Sequence, residues 1–479
     1  MNTKALRQKI LDLAIHGKLV PQDPNDEPAS VLLERIRAEK ERLIKEGKIK
    51  RPKKTKTTSD KPHYPYELPE GWVWTTIEEL FFVTKLAGFE YTDCLTKDSI
   101  SRNNEVPIVR AQNVRMGSFV ENANEAISEA LSLQLERSAL IKKCLLMTFI
   151  GAGIGDTCIF PALKRCHLAP NVAKIEPYSN EIDLKYALYY LMSDLGQLGV
   201  RGISKSTAQP SLSMATIRSM DLALPPLAEQ YHIVAEIEKW FALIDQIEQS
   251  KADLQTAIKQ AKSKILDLAI HGKLVPQNPN DEPALELLKR INPEFTSCDN
   301  GHYQKLPFKI PKSWVWCGHN NVLEISGGSQ PAKNLFISVP KANYIRLYQI
   351  RDYGENPIPV YIPEELASKR TEKGDILLAR YGGSLGKVFH AERGAYNVAM
   401  AKVIFKYPNV IFKDFAYYYY LSDLYQGRLK EISRTAQAGF NSSDFNEMLF
   451  PLPPYEEQKR IVNAINQTFT ILDTIMENL

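Results

Sequence analysis

Polar and cationic side chains gather in five short stretches of the sequence, and their types are those that hydrogen-bond to nucleic acid. The first half of the chain contains Arg110, Gln112, Asn113 and Arg115, and then Arg201, Lys205, Ser206, Thr207 and Gln209. The second half contains Arg346, Tyr348, Gln349 and Arg351, then Arg380 and Tyr381, and finally Arg434, Thr435, Gln437 and Asn441. Arginine and lysine bind guanine edges, asparagine and glutamine bind adenine edges, and serine and threonine hold phosphates. The stretches are therefore candidate DNA contacts, although any one member, taken alone, is equally an ordinary surface residue.

Two other motifs could serve methyl transfer. Residues 149–153 read FIGAG and match the FxGxG pattern of S-adenosylmethionine sites, and residues 453–455 resemble the catalytic NPPY of amino-methyltransferases. The residue before this second motif is Leu452, whereas the reaction needs Asn or Asp there to accept a hydrogen of the target amine. The answering segments in the other half of the chain, RYGGS and PPL, each lose the pattern. We therefore expect no catalytic residue and no bound cofactor in this chain, and a self-contained DNA methyltransferase stays an alternative.

Composition and charge exclude several other classes of protein. The six cysteines include no CxxC pair and the eight histidines no HxxxH spacing, which predicts neither a disulfide framework nor a metal site. The net charge of +4 permits nucleic-acid binding without requiring it. The N-terminal residues are charged throughout, unlike a signal peptide, and no apolar run approaches the roughly 20 residues that cross a bilayer. We expect a cytoplasmic protein with reduced thiols.

Long segments of the sequence occur twice. Residues 9–28, KILDLAIHGKLVPQDPNDEP, return as residues 264–283 with a single substitution. The segment that begins LPPLAEQ at Leu224 returns as LPPYEEQ at Leu452. Their order is circularly permuted, since joining the C-terminus to the N-terminus would make two equal halves. This order predicts a pseudo-two-fold molecule, which suits a ligand with approximate two-fold symmetry.

The repeated segments have helical periodicity. Apolar residues recur every three or four positions through residues 228–271, a stretch without Pro or Gly. Such a helix would extend roughly 60 Å and needs a partner for its apolar stripe. The segments 3–16 and 456–479 carry the matching repeats, so we expect an antiparallel coiled coil between the central helix and these terminal helices. Gly17 and Gly272 predict the ends of these helices, and in each copy a proline, Pro21 or Pro276, comes four residues after the glycine.

Two longer stretches, 61–228 and 301–455, contain short β-rich runs punctuated by Gly and Pro. Weaker repeats connect them: IVRAQNVR answers YIRLYQIR, so that Arg110 answers Arg346, and LLMTFIGAGIGD answers ILLARYGGSLGK. We expect two α+β domains on one framework. The complete predicted division is an N-terminal helical repeat with a basic linker (1–60), the first domain (61–228), a central repeat with the long helix (229–300), the second domain (301–455) and a C-terminal repeat helix (456–479).

The order and duplication of these segments resemble the specificity (S) subunits of type I restriction-modification systems. The resemblance is carried by the LPPLAEQ and LPPYEEQ helix openings, the two WVW runs, the TAQ segments at Thr207 and Thr435, and the duplicated ILDLAIHGKLVPQ. It implies that the two α+β domains are target-recognition domains, each reading one half of an asymmetric bipartite DNA sequence. It also implies that the coiled coil sets the spacer and docks two methyltransferase (M) subunits, and then restriction (R) subunits. Adenine-N6 methylation and S-adenosylmethionine would belong to the M subunits, and this chain would be non-catalytic.

A different class of function also fits two domains on paired helices, namely a scaffold that binds no DNA. The two classes differ in their response to salt. A DNA-binding protein releases counterions and loses affinity steeply as the salt concentration rises, whereas a protein-binding scaffold has no such slope.

Overall fold

The structure is a computed structural model that describes residues 2–51, 64–86, 88, 90–96, 98–121, 124–203, 211–298, 306–433 and 439–479. The chain divides into two compact units, unit 1 (Met1–Ser250) and unit 2 (Lys251–Leu479). The boundary falls inside one long helix, so each unit contains part of it. Within the described ranges, no helix is both long and apolar enough to cross a membrane. The finer five-segment division stays a prediction.

Unit 1 contains the α-helices α1 (Thr3–Ile15), α2 (Ala29–Lys45), α3 (Ile77–Leu80), α4 (Glu129–Gln134), α5 (Leu184–Met192), α6 (Asp194–Ile203), α7 (Met214–Arg218) and the first part of α8 (Leu227–Ile270). The predicted glycine stop of α1 is confirmed. Gly17 has a φ of 63°, and the amides of Gly17 and Lys18 donate to the carbonyls of Ala14 (3.1 Å) and Leu13 (2.8 Å). This left-handed cap satisfies carbonyls that the last helical turn leaves free.

The strands of unit 1 are β1 (Val73–Thr76), β2 (Phe81–Lys85), β3 (Val106–Val109), β4 (Val114–Arg115), β5 (Ser118–Phe119), β6 (Ala126–Ile127), β7 (Ala139–Leu140), β8 (Cys144–Thr148), β9 (Thr157–Phe160), β10 (Cys166–Leu168), β11 (Val172–Pro177) and β12 (Asp221–Leu224). They form two sheets, β2-β11-β8-β9 and β6-β3-β10-β7, together with the pair β1-β12 and the hairpin β4-β5. β8 is buried along its whole length, as expected for the apolar run CLLMT.

Unit 2 repeats this architecture. Its helices are the second part of α8, α9 (Ala284–Ile291), α10 (His319–Val322), α11 (Lys413–Leu421), α12 (Asp423–Ser433) and α13 (Tyr455–Glu477). Its strands are β13 (Val315–Gly318), β14 (Leu323–Gly327), β15 (Tyr344–Tyr348), β16 (Tyr361–Pro363), β17 (Arg370–Thr371), β18 (Ile376–Ala379), β19 (Val388–His390), β20 (Gly394–Tyr396), β21 (Met400–Phe405) and β22 (Leu449–Leu452). The sheets β14-β21-β18-β19 and β16-β15-β20-β17 and the pair β13-β22 each match a sheet of unit 1. The predicted pair of α+β domains on one framework is confirmed.

Each unit pairs its part of α8 with a terminal helix, and the two helices run antiparallel. In unit 1, Arg7 of α1 donates to Asp245 at 2.6 Å, and Gln22, beyond the end of α1, donates to Glu229 at 3.0 Å. Later residues of the first chain segment therefore contact earlier residues of α8, as in an antiparallel pair. In unit 2, Lys262 of α8 pairs with Asp473 of α13, and Gln277, beyond the end of α8, donates to Glu457 at 2.6 Å, which gives the same antiparallel order. The expected antiparallel pairing of central and terminal helices is confirmed within each unit.

The start of α8 is also the point where the first α+β domain is attached to the helices. The indole of Trp72 donates to the Glu229 carboxylate at 2.8 Å, and Glu229 is only 2% exposed. A buried carboxylate needs such donors because desolvation otherwise penalises its charge. Burial accordingly raises the pKa of Glu229 above its ordinary value, against the opposing effect of the hydrogen bonds from Gln22 and Trp72.

Candidate nucleic-acid interface

The first candidate stretch forms a tight turn at the end of β3. A 3₁₀ turn spans Ala111–Asn113, and the Arg110 amide donates to the Asn113 side-chain oxygen at 2.9 Å. The Asn113 amide group in turn donates to the Val120 carbonyl at 2.9 Å, and Asn113 is 3% exposed. Asn113 therefore holds the turn in place. We predicted Asn113 as a reader of adenine, but both ends of its side-chain amide are already hydrogen-bonded to the backbone, at Arg110 and at Val120.

The other side chains of this stretch differ in whether they are already hydrogen-bonded or ion-paired within the chain. The Arg110 guanidinium donates to Glu125 at 2.6 Å, so its charge is already compensated. Gln112 and Arg115 are exposed, and neither side chain has a hydrogen bond or ion pair to another described residue. Gln112 and Arg115 are thus the side chains of this turn that are available to a ligand.

The corresponding turn of unit 2 begins at the end of β15. The Gln349 amide donates to the Asp352 carboxylate at 2.8 Å, just as Arg110 is bonded to Asn113, and a 3₁₀ turn spans Ile350–Tyr353. Arg351 projects from this turn and is exposed, without a hydrogen bond or ion pair to a described residue. Arg351 therefore occupies the position that Gln112 occupies in unit 1.

This correspondence differs from the one predicted from the letters of the sequence. The amide of Ile108 bonds to the Glu125 carbonyl at 2.9 Å, and the amide of Leu347 bonds to Val360 at 2.8 Å. Ile108 and Leu347 also hold the same place in the parallel pairs β3-β10 and β15-β20. The predicted match of Arg110 with Arg346 is therefore wrong by three residues, because similar apolar runs align equally well in more than one register.

Arg346 lies one step away from the turn and supports it. Its guanidinium donates to Asp352 at 3.0 Å, and the Asp352 side chain is fully buried. The same guanidinium lies over the rings of Tyr348 and Tyr361, at 5.3 and 5.7 Å from their centres. An arginine enclosed by a carboxylate and two aromatic faces is positioned to stabilise the loop.

The two glycine-rich turns correspond to each other in the predicted alignment. They are residues 149–156 in unit 1 and residues 380–387 in unit 2. The Thr148 amide bonds to the Asp156 carbonyl at 2.9 Å, and the Ala379 amide bonds to the Lys387 carbonyl at 2.9 Å. The two turns therefore share a backbone but end on opposite charges. Burial raises the pKa of the Asp156 carboxyl above its ordinary value, and the nearby charge of Arg115 acts against this rise. Lys387, by contrast, is exposed.

Arg380 and Tyr381 begin the glycine-rich turn of unit 2. The Arg380 guanidinium lies 4.9 Å from the centre of the Tyr381 ring and donates weakly to the Val398 carbonyl at 3.4 Å. Tyr381 is 47% exposed, which is high for so large an apolar ring. Its exposed face is available for stacking on a base or sugar.

The remaining candidates lie partly beyond the described residues. Arg201 lies within α6. Asn441 is exposed, and its side-chain oxygen caps a 3₁₀ helix by accepting a hydrogen bond from the Ser443 amide at 2.9 Å. Outside the described residues lie Lys205, Ser206, Thr207, Gln209, Arg434, Thr435 and Gln437. The residue that follows each of these two segments pairs with a glycine-rich turn, Ser211 with Ile150 and Gly439 with Tyr381. The first described residue after each of these stretches therefore lies beside a glycine-rich turn.

The motifs that resembled methyltransferase sites have structural roles. The FIGAG segment forms the turn between β8 and β9, and the prolines of PPY precede the first residue of α13, Tyr455. Among the described residues, no group of three or more His, Cys, Asp or Glu side chains is arranged to hold a metal ion. Reading the sequence missed Lys387 as a candidate, although its alignment with Asp156 in the weaker repeat was a usable signal.

Sequence similarity to known proteins extends over most of the chain. A family profile described as "Type I restriction modification DNA specificity domain" matches residues 69–256 and 311–479. The chain is 28% identical to the type I restriction enzyme EcoEI specificity subunit of Escherichia coli, over 99% of this chain and 90% of that one. It is 26% identical to the EcoAI specificity subunit of Escherichia coli, over 97% of this chain and 88% of that one.

Solved structures share the fold. A chain from a structure described as the basis of complex assembly and conformational transition of the type I R-M system has a TM-score of 0.61 and 18% identity, covering 86% of this chain and 94% of that chain. The HsdS subunit from Thermoanaerobacter tengcongensis has a TM-score of 0.51 and 18% identity, covering 86% of this chain and 93% of that chain. At this level of identity, the likeness establishes a common fold.

Proposed function

The chain belongs to the family of type I restriction-modification DNA specificity subunits, and from this premise we propose that its two α+β domains each read one half of an asymmetric, bipartite DNA target. As a specificity subunit, the chain recognises the DNA target of its system. The proposal concerns how recognition is divided between the domains, which side chains contact DNA, and how the partner subunits are held.

One observation carries the proposal: the two domains present different side chains from the same backbone frame. Gln112 in unit 1 stands where Arg351 stands in unit 2, and Asp156 stands where Lys387 stands. Glutamine suits an adenine edge, whereas arginine suits a guanine edge or a phosphate. Two readers of equal shape, one able to read a base with Gln112 and the other able to hold a phosphate at the matching place, would recognise two unlike half-sites.

We assign direct DNA contact to Gln112, Arg115 and Arg351, which are exposed and have no hydrogen bond or ion pair to a described residue, and to the exposed ring of Tyr381. Asn113 and Arg346 act indirectly, because their hydrogen bonds hold the turns that carry these side chains. The segments 201–209 and 434–441 stay proposed contacts, since Ser211 and Gly439 pair with the glycine-rich turns. Phosphate contacts within this set would fix the register of each domain, and base contacts would supply its specificity.

The paired helices are proposed to set the spacer between the half-sites and to dock two M subunits, with R subunits joining them in the cytoplasm. In unit 1, Trp240, Leu243 and Ile247 follow one face of α8 and are each more than 40% exposed. In unit 2, Ile471 and Ile475 on α13 are exposed to a similar degree or more. Apolar side chains that follow one face of a helix and stay exposed favour a protein partner. S-adenosylmethionine and the adenine-N6 transfer would reside in the M subunits.

Mapping N6-methyladenine across the genome tests the proposal. Cells with this chain and cells with its gene deleted are compared, and the gene is then restored. The expected result is a single motif, present only with the gene, made of two unlike specific parts separated by a fixed number of unspecified base pairs. An uninterrupted or palindromic motif would contradict the division into two unlike readers. No gene-dependent motif, together with no salt-dependent DNA binding, would favour the scaffold.

A further inference from the structure

Unit 2 contains a cleft of about 480 Å³ between its 3₁₀ turn and its glycine-rich turn. Arg351 and Tyr353 line one wall, and Tyr381, Ser384, Lys387 and Phe389 line the other. The two walls come from segments about 30 residues apart in the chain, so the cleft exists only in the folded unit. Its position next to Arg351 and Tyr381 places it within the proposed DNA-contacting surface.

The cleft carries uncompensated positive charge. Arg351 and Lys387 are both exposed, and neither makes a hydrogen bond or ion pair with a described residue. Among the described residues, no aspartate or glutamate lines the cleft. Some other cations of the same unit are paired, for example Arg370 with Glu364 at 2.9 Å. Two neighbouring cations without a counter-charge favour the binding of an anion.

The cleft also offers one hydrogen-bond donor, the Ser384 hydroxyl, that nothing in the described chain uses. The Ser384 hydroxyl has no hydrogen bond to a described residue, and the Tyr353 hydroxyl is buried without a partner there. The Tyr353 ring is held by stacking on Phe389, with the ring centres 4.4 Å apart. A side chain at Gly383 would meet nothing within 4 Å, so a ligand can approach the backbone of the turn closely.

The turn that carries Lys387 is held rigidly. The Lys387 amide donates to the Ser384 carbonyl at 3.0 Å, and the Gln426 side chain donates to the Gly386 carbonyl at 2.8 Å. In unit 1 the same backbone is held in the same way, with Gln197 donating to Gly155. The backbone of the turn is therefore fixed before binding, and only the side chain of Lys387 has to be ordered when the ammonium contacts a ligand.

Unit 1 has the opposite chemistry at this place. Asp156 stands where Lys387 stands, and the uncharged Gln112 stands where Arg351 stands. The two positions together therefore carry one negative charge in unit 1 and two positive charges in unit 2. A phosphate is therefore attracted less strongly in unit 1, where the charge of Asp156 offsets that of the nearby Arg115.

We propose that the cleft of unit 2 binds one phosphate of the DNA backbone, through the Lys387 ammonium, the Arg351 guanidinium and the Ser384 hydroxyl, and that unit 1 lacks this contact because Asp156 occupies the place of Lys387. This inference rests on the proposed DNA-reading function and assigns a chemical class of ligand to one part of that surface. The contact anchors the second domain on the duplex without reading a base. Binding to the second half-site thus depends more steeply on salt than binding to the first.

The test uses the full-length chain with its methyltransferase partners and the variants Lys387→Gln and Arg351→Gln. The control is Lys373→Gln, which removes an exposed lysine at the opposite end of β18. Binding is measured by mobility shift over a series of salt concentrations, on a duplex with the mapped motif and on an unrelated duplex of equal length. Melting curves establish that the variants are folded, which we expect because both side chains are exposed and unpaired.

Each cleft variant should weaken binding about tenfold on both duplexes. Each should also reduce the salt slope by up to about 0.9, the contribution of the one phosphate that the two cations share, and the control should change neither quantity. An unchanged slope, or a loss confined to the motif duplex, would overturn the phosphate assignment, and the latter would identify a base contact. If the unaltered complex fails to prefer the motif duplex, the proposed function itself fails, and the two results are distinguishable.

Discussion

At the scale of single residues, the arginines of the candidate interface divide into two groups that the sequence does not separate. Arg346 is enclosed by a buried carboxylate and two tyrosine rings, whereas Arg351, five positions later, is free. The difference lies in Asp352, which is buried and needs a counter-charge. Only one of the two arginines can meet that need, and the other remains available to DNA.

The variant Arg346→Ala should therefore destabilise unit 2. It would leave the Asp352 charge buried and unpaired, which costs about 3 kcal/mol in free energy of unfolding. Arg351→Ala, the matched control, should leave that free energy unchanged. Urea unfolding followed by tryptophan fluorescence measures both. Unaltered stability of Arg346→Ala, with relaxed recognition at one base, would instead make Arg346 a direct reader.

His319 makes unit 2 sensitive to acid. Burial lowers the pKa of His319 to about 4 from the ordinary value of 6.5, and its ring contacts the Tyr420 hydroxyl at 2.7 Å. Because the folded value is the lower one, the stability contributed by neutral His319 is complete above pH 6.5. It is lost as the pH falls from 6.5 towards 4, by up to about 3 kcal/mol.

The variant His319→Gln should remove most of this loss between pH 7 and about pH 5. The measurement is urea unfolding at both pH values. His390→Gln, which alters an exposed histidine of the same unit, should keep the dependence of the unaltered chain. Equal pH dependence in all three proteins would show that His319 is protonated as readily in the folded as in the unfolded state.

At the scale of elements, the duplicated glycines end helices and also permit close packing. Gly17 ends α1 with a φ of 63°, and a side chain there would lie 2.3 Å from a carbon of Pro69. Gly272 ends α8 in the same way beside Pro311, at 2.4 Å. Each helix end thus presses against the segment that enters the following domain. The presence of glycine at both positions follows from this double demand on backbone and space.

Gly17→Ala and Gly47→Ala separate the two demands. Gly47 ends α2 with a φ of 70°, but a side chain there would meet nothing within 4 Å. Gly47→Ala should cost about 1 kcal/mol for the left-handed backbone alone. Gly17→Ala should cost roughly 2 kcal/mol more, because Pro69 must also move. Thermal unfolding measures both, and equal costs would mean that the contact with Pro69 yields freely.

At the scale of the whole molecule, recognition and assembly are assigned to different surfaces. The turns at the ends of β3, β8, β15 and β18 carry the candidate DNA contacts, whereas the exposed apolar faces lie on α8 and α13. Separation of the two surfaces would allow the loops to vary in sequence without disturbing the helices. It also makes the two activities separable by substitution.

The double variant Leu243→Glu with Ile247→Glu should weaken association with the M subunits at least about tenfold, because it places two charges in an apolar contact. Its unfolding should be unchanged, since both side chains are exposed. Ala242→Glu adds a charge on another face of α8 and serves as the control. Sedimentation of the mixed subunits measures association. Undiminished complex formation by the double variant would place the docking surface elsewhere.

The repeats, the helix ends and the two-domain framework could all be predicted from the sequence, because each depends on a local or periodic pattern of residues. The 3.6-residue period of its apolar residues identifies α8. Gly272, with a proline four residues later, identifies the end of this helix. Duplication of whole segments then implies duplication of the fold, which the matching sheets of the two units confirm. The family follows from the same order of segments.

The site itself was decided by tertiary structure. Whether Arg110 answers Arg346 or Gln349 depends on hydrogen bonds to Glu125 and Val360, which come from strands and loops further along the chain. The cleft likewise forms only when the turns that carry Arg351 and Lys387 are brought together. Residue type states what a side chain is able to bind. Its partners in the folded chain determine whether it is free to do so.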